Sequence, residues 1–139
     1  MKSPFGNVNI PWNPRLSYML AGLEIYDREE EVGSKLRNYD PQLSSDRKKI
    51  IEKFIAPELE NLSYRHRFAL MKVLEGALAD STFDFCSQFA SDFDECFTVA
   101  WNEEQIGDSR GFFEDIFTFF NEKWKEDLRK ASLEDPSTW

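Results

Sequence analysis

Between Glu75 and Phe120 the chain places ten of its thirteen phenylalanines among eleven acidic residues and a single base, Arg110. A stretch of this kind has to bury rings and keep carboxylates in water at the same time. An amphipathic α-helix does both, because residues three and four apart share a face. Phe85, Phe89, Phe93, Phe97 and Trp101 recur every fourth residue, with Cys86, Ala90, Cys96 and Ala100 beside them. Asp84, Asp92, Glu95 and Glu103 lie largely off that stripe, and Asp80-Ser81-Thr82 offers a cap. The spacing predicts one helix from there to about Trp101, with the ring ladder in the core.

The rest of the chain reads in the same period. Pro4, Pro11 and Pro14 punctuate the start, and proline's fixed φ and missing N–H keep residues 1–13 as an extended arm. Asn13 as cap and Pro14 at the first helical position then open a helix carrying Leu16, Met19, Leu20, Leu23 and Tyr26 on one face and ending near Asn38. Ser44-Ser45-Asp46 caps a second helix with Ile50, Ile51, Phe54 and Ile55 inward, kinked or restarted at Pro57. Ser63 caps a third to about Ala79, whose broad apolar face marks it as central. Asn102 to Gly111 reads as a loop, with Gly107 as stop and Asp108 or Ser109 as the next cap. The fifth helix packs Phe113, Ile116, Phe117, Phe120, Trp124 and Leu128, and Asp135-Pro136 ends order, leaving 135–139 as a disordered tail. The expectation is a single all-α domain over 1–139, of about five helices behind a Pro-rich arm.

Composition bounds the function. With 41% hydrophobic and 15% aromatic residues the chain builds a core without staples, and no stretch approaches the roughly 18 apolar residues of a membrane helix. No secretory apolar run follows Met1-Lys2-Ser3-Pro4, so the expected location is cytoplasmic and the two cysteines, Cys86 and Cys96, are expected reduced and buried. The formal charge of −9 falls wholly within 75–120: residues 1–74 carry twelve bases against ten acids, and 121–139 four against five. A negative field of that kind excludes nucleic acid and anionic membrane as direct partners and favours a cationic protein.

No catalytic constellation emerges. His66 sits between Arg65 and Arg67 with no carboxylate at helical spacing to orient it as a base, and reads as a helix-surface residue. Asp92 and Asp94 point about 200° apart on a helix and cannot share an ion; Asp92 with Glu95 and Asp80 with Asp84 lack a calcium-loop glycine or a histidine. Glu103-Glu104 and Glu114-Asp115 form carboxylate pairs, but a small helical domain offers no long cleft for a glycan. The expectation is therefore no enzyme, no metal and no cofactor. Five rings in nine residues, Phe112 to Phe120, cover more than one side of a helix, so some of Phe112, Phe119, Trp101 or Trp124 should approach the surface. Rings rimmed by carboxylates suit a protein-binding site. The expected contact surface is Trp101, Glu103, Glu104, Asp108, Phe112, Glu114 and Asp115.

A short, acidic, helix-rich chain with an acidic-aromatic face and no catalytic set resembles the immunity proteins that bacteria make against polymorphic toxins, including those of contact-dependent growth inhibition. That resemblance implies a cytosolic antidote, monomeric when free, that binds and occludes a cognate cationic toxin domain, commonly a nuclease. Two alternatives stand beside it. A nucleic-acid mimic of the anti-restriction or phage anti-defence kind would want an extended acidic ridge with few rings. A regulatory or scaffold subunit would dock a basic partner by the same face.

Overall fold

The computed structural model describes residues 1–5, 9–92, 94 and 96–139. The protein is all-α: seven α-helical segments, with 3-10 and π turns between them, and no strand among the described residues. The segments are α1 (Ser34–Leu36), α2 (Ser44–Ile50), α3 (Ala56–Glu58), α4 (Tyr64–Ala79), α5 (Glu103–Ile106), α6 (Ser109–Lys123) and α7 (Lys125–Ser132).

Two helices form where local signals dictate them. Ser63 accepts from the His66 amide at 3.3 Å and opens α4, whose Leu70, Met71, Leu74 and Ala77 are buried against α6, α7 and the first 3-10 helix. Asp108 accepts from the Gly111 amide at 2.9 Å and opens α6, just after Gly107 has turned the chain at φ 74. Gly107 is needed there because a left-handed φ strains any residue with a Cβ. Phe112, Phe113, Ile116 and Phe120 form the buried stripe of α6. Trp124 (φ −102, ψ 17) leaves helical geometry and separates α6 from α7, so the long fifth helix expected from the period is two.

The second expected helix runs as α2, a π turn over Ile51–Ile55, and α3. Pro57 removes the N–H that the Lys53 carbonyl would receive in an α-helix, and the preceding turn widens so that the Ala56 amide bonds Ile51 O five residues back. Gly22 of the 3-10 helix Leu16–Leu23 lies hard against this turn: a Cβ on it would sit 1.7 Å from Phe54 O.

Two expected helices are overturned. The first does not run to Asn38: a 3-10 helix covers Leu16–Leu23 with no side-chain cap from Arg15, and a π turn, Glu29–Gly33, leads into α1. Between them the Ile25 amide bonds Thr98 O at 2.7 Å, the Ala100 amide bonds Leu23 O at 2.9 Å, and Asp27 turns the chain at φ 59. The segment carrying Phe85 to Trp101 is not a helix either. Among its described residues only Cys86–Phe89 forms a 3-10 turn, Asp92 and Phe97 exchange backbone hydrogen bonds at 2.8 Å, and Cys96 turns at φ 53. Its short polar side chains satisfy the backbone locally, Asp80 bonding the Thr82 amide at 2.9 Å and Asp84 the Ser87 amide at 3.3 Å, which competes with helix formation. Phe93 and Glu95 of the expected ladder lie outside the described residues.

The core role of the rings holds for Phe85 and Phe89, which meet α6 through Phe113 (5.1 and 5.7 Å between centroids) and Phe112 (5.7 Å from Phe89). Cys86 and Cys96 correct a further expectation: both thiols are free and exposed, because the helix that would have buried them does not form. At the N-terminus residues 1–3 pair with 10–12, Ser3 N to Ile10 O at 2.9 Å and Trp12 N to Met1 O at 2.8 Å, so the segment is helix-free but not a free extended arm; Gly6 to Val8 lie outside the described residues. At the other end Pro136–Thr138 forms a 3-10 turn capped by Asp135, and Trp139 packs edge-on to Phe68 at 5.7 Å instead of trailing off. No helix among the described residues is long and apolar enough to cross a membrane.

Candidate functional site

The stretch 102–115, expected to hold the contact surface, is built by three reinforcing local devices. Asn102 and Gln105 form a reciprocal capping box, each side chain accepting from the other's amide at 2.9 Å, and so make a helical turn where a loop was expected. Gly107 then stops that turn and Asp108 starts α6. Glu103 and Glu104 occupy the first turn of α5, where the helix dipole favours negative charge.

This geometry brings together the charged half of the expected site and withdraws the aromatic half. Glu103, Glu104, Asp108 and Glu114 are exposed. Asp115 is half-buried and paired with Arg47 at 3.1 Å, joining α6 to α2. Trp101 and Phe112, expected beside the carboxylates, are buried, Phe112 completely, because α6 packs on several neighbours and needs more than one apolar side. Among the rings expected to approach the surface, Phe119 does so, half-buried with its ring perpendicular to Phe120, while Trp124 stays in the core.

Arg110, the one base of the acidic segment, is turned inward. Its guanidinium donates to the carbonyls of Leu78 (3.1 Å), Asp80 (2.8 Å) and Phe83 (3.5 Å) and lies 4.8 Å above the Phe85 ring. It therefore caps the C-terminal end of α4, where a cation meets the negative end of the dipole, and ties the irregular segment after Asp80 to α6. It makes no ion pair among the described residues, and its donors face backbone carbonyls and not carboxylates.

Sequence reasoning missed two surface features. Leu43 is 53% exposed at the start of α2, directly before Ser44, which lines a groove of about 270 Å³ with Lys48, Ile51, Asp115, Thr118 and Phe119. The only sequence signal is an apolar residue left outside the periodic face, directly before the Ser44 cap. A wider cleft is lined by Ile25 to Glu31 and Thr98, and its carboxylates follow the turn at Asp27 that broke the first expected helix. Tyr26 stands there with its phenol pushed above its ordinary value, first by a hydrogen bond with the Cys96 thiol and then by the charges of Cys96 and Asp27.

His66 is on the helix surface as expected, and it is structural: its ring nitrogens lie 2.5 Å from Ser63 Oγ and 2.7 Å from Lys2 O, and its ring meets Trp12 at 4.8 Å. Nε2 must carry hydrogen to donate to the Lys2 carbonyl, which accepts only. No group of three or more His, Cys, Asp or Glu among the described residues is placed to hold a metal ion. No protein-family model, no curated protein and no solved structure matches the chain.

Proposed function

We propose that the protein is a stoichiometric protein-binding inhibitor of the immunity type, which neutralises a cationic toxin domain in the cytoplasm by occluding it. The observation that carries this reading is the disposal of Arg110: the sole base between Glu75 and Phe120 is committed to three backbone carbonyls, and Glu103, Glu104, Asp108 and Glu114 face water around it in sequence. An acidic surface left uncompensated steers a cationic partner and accelerates encounter by about 10 to 1,000-fold. Exposed ion pairs contribute only about 0 to 1 kcal/mol each, whereas neutralising a toxin at nanomolar affinity takes about 12 kcal/mol. Affinity of that order needs an apolar centre as well.

Co-purification from the producing strain, comparing the native chain with a Glu103→Lys, Glu104→Lys double variant, tests the reading. The expected result is a basic protein retained at one-to-one stoichiometry by the native chain, lost by the variant, with thermal unfolding unchanged. An association rate indifferent to salt in stopped-flow mixing with that protein would assign the acidic segment to solubility instead.

A further inference from the structure

We infer that the groove between α2 and α6 is the apolar anchor site of the acidic surface, and that it takes a bulky apolar side chain flanked by cationic residues on the partner. The inference rests on the proposed inhibitor function and supplies what the carboxylates lack. With Trp101 and Phe112 buried, the surface over 102–115 offers charge without rings. The apolar centre has to lie at its border, and the structure has one there.

The groove is continuous with the acidic turn through named contacts. Gln42 Nε2 donates to Gln105 O of α5 at 3.1 Å, and the Gln42 side chain lies across Gly107. The next residue, Leu43, is exposed, and its carbonyl receives the Arg47 amide at 2.8 Å, so its side chain is not needed to start α2. Ser44, Lys48 and Ile51 then form one wall, and Asp115, Thr118 and Phe119 the other. Asp115 and Phe119 are four apart on α6 and share a face, and Thr118 lies one turn on from the exposed Glu114, whose carbonyl its hydroxyl bonds at 3.0 Å. Ile51, almost wholly buried, and the half-buried Phe119 ring supply the apolar lining; the volume of about 270 Å³ accommodates one large side chain.

Charge decides the occupant. Glu103, Glu104, Asp108 and Glu114 approach from the α5 and α6 side, where cationic residues of the partner find counter-charges. On the far wall Lys48 makes no ion pair among the described residues and offers its ammonium donors to a carbonyl or hydroxyl of the occupant. The complementary element therefore carries an apolar side chain with Arg or Lys on one side of it only. Rings seated in such a pocket and bordered by charge form the usual energetic centre of a tight interface.

The test uses the full chain and two synthetic peptides, one with a tryptophan beside two arginines and one with that tryptophan replaced by alanine. Titrations are followed by calorimetry and by amide NMR shifts. The ring peptide is expected to bind the native chain at least tenfold more tightly, with shifts at Leu43, Ile51, Thr118 and Phe119. Leu43→Ser and Thr118→Gln, both neutral changes at exposed positions, are expected to weaken the ring peptide at least fivefold and leave the alanine peptide unaffected. Equal binding of the two peptides, or full ring-peptide affinity in both variants, overturns the anchor site while leaving the acidic surface standing. Glu103→Lys, Glu104→Lys is expected to weaken both peptides. If the ring peptide does not bind the native chain, the anchor site fails, while the acidic-surface reading is decided separately by the co-purification.

Discussion

Replacing Arg110 tests whether one inward cation holds the irregular half of the molecule to the helical half. Its guanidinium makes two well-placed hydrogen bonds, to Asp80 O at 2.8 Å and Leu78 O at 3.1 Å, a third at the 3.5 Å limit to Phe83 O, and a stacking contact 4.8 Å above Phe85. Hydrogen bonds from a charged donor contribute about 1.5–3 kcal/mol each when their partners are left buried. Water reaches part of this site, so the lower end applies to the two good bonds, and the ring contact adds about 0.5–1 kcal/mol. Arg110→Met keeps the length of the stem and removes the fork; it should cost about 3–4 kcal/mol. At roughly 3 °C per kcal/mol for a chain of this size, the melting temperature should fall by about 9–12 °C. Arg110→Lys separates fork from charge. One ammonium cannot serve three carbonyls spread over Leu78 to Phe83, so the lysine variant should lose more than half of the same stability. Calorimetric melting of the three proteins decides it. A lysine variant as stable as the native chain would refute the argument, because charge at the end of α4 would then be sufficient.

Gly22→Ala should destabilise by about 3 kcal/mol or more, read as a shift of the urea midpoint, since its Cβ would lie 1.7 Å from the Phe54 carbonyl and backbone cannot step aside as a side chain can. Cys86 and Cys96 should both alkylate in the native protein, giving two additions by intact mass without denaturant; protection of either thiol would contradict its exposure. Glu134 is held below the ordinary carboxylate range, first by the Tyr64 hydroxyl and then by Arg65. A depressed folded pKa stabilises above the unfolded value of about 4.3 and is lost as pH falls through the folded value, so Glu134→Gln should be less stable at pH 7 and converge with the native chain in acid. Parallel denaturation curves from pH 7 to pH 2 that never converge would assign the effect to packing.

Elements that begin and end on local chemistry were legible in the sequence. Ser63 opening α4, Gly107 and Asp108 around the start of α6, and the periodic stripe of Leu70, Met71 and Leu74 each depend on residues within one or two turns, so no distant contact can reverse them cheaply. The acidic character of 102–115 was legible for the same reason, since carboxylates stay in water wherever the chain goes.

Tertiary structure decided everything that turned on competition between a local period and a distant partner. Leu20, Leu23 and Tyr26 carry helical spacing, but the backbone groups of Leu23 and Ile25 pair with Ala100 and Thr98, more than seventy residues away, and that pairing ends the helix. Phe85 and Phe89 keep the core role their spacing suggested, yet α6 receives them from a backbone held by Asp80, Asp84 and Arg110 and not from a helix. The same packing drew Trp101 and Phe112 inward and left Leu43 outside, because a ring is buried wherever apolar neighbours surround it. A one-dimensional period names the faces of a segment, whereas which face meets solvent is set only when the other segments arrive.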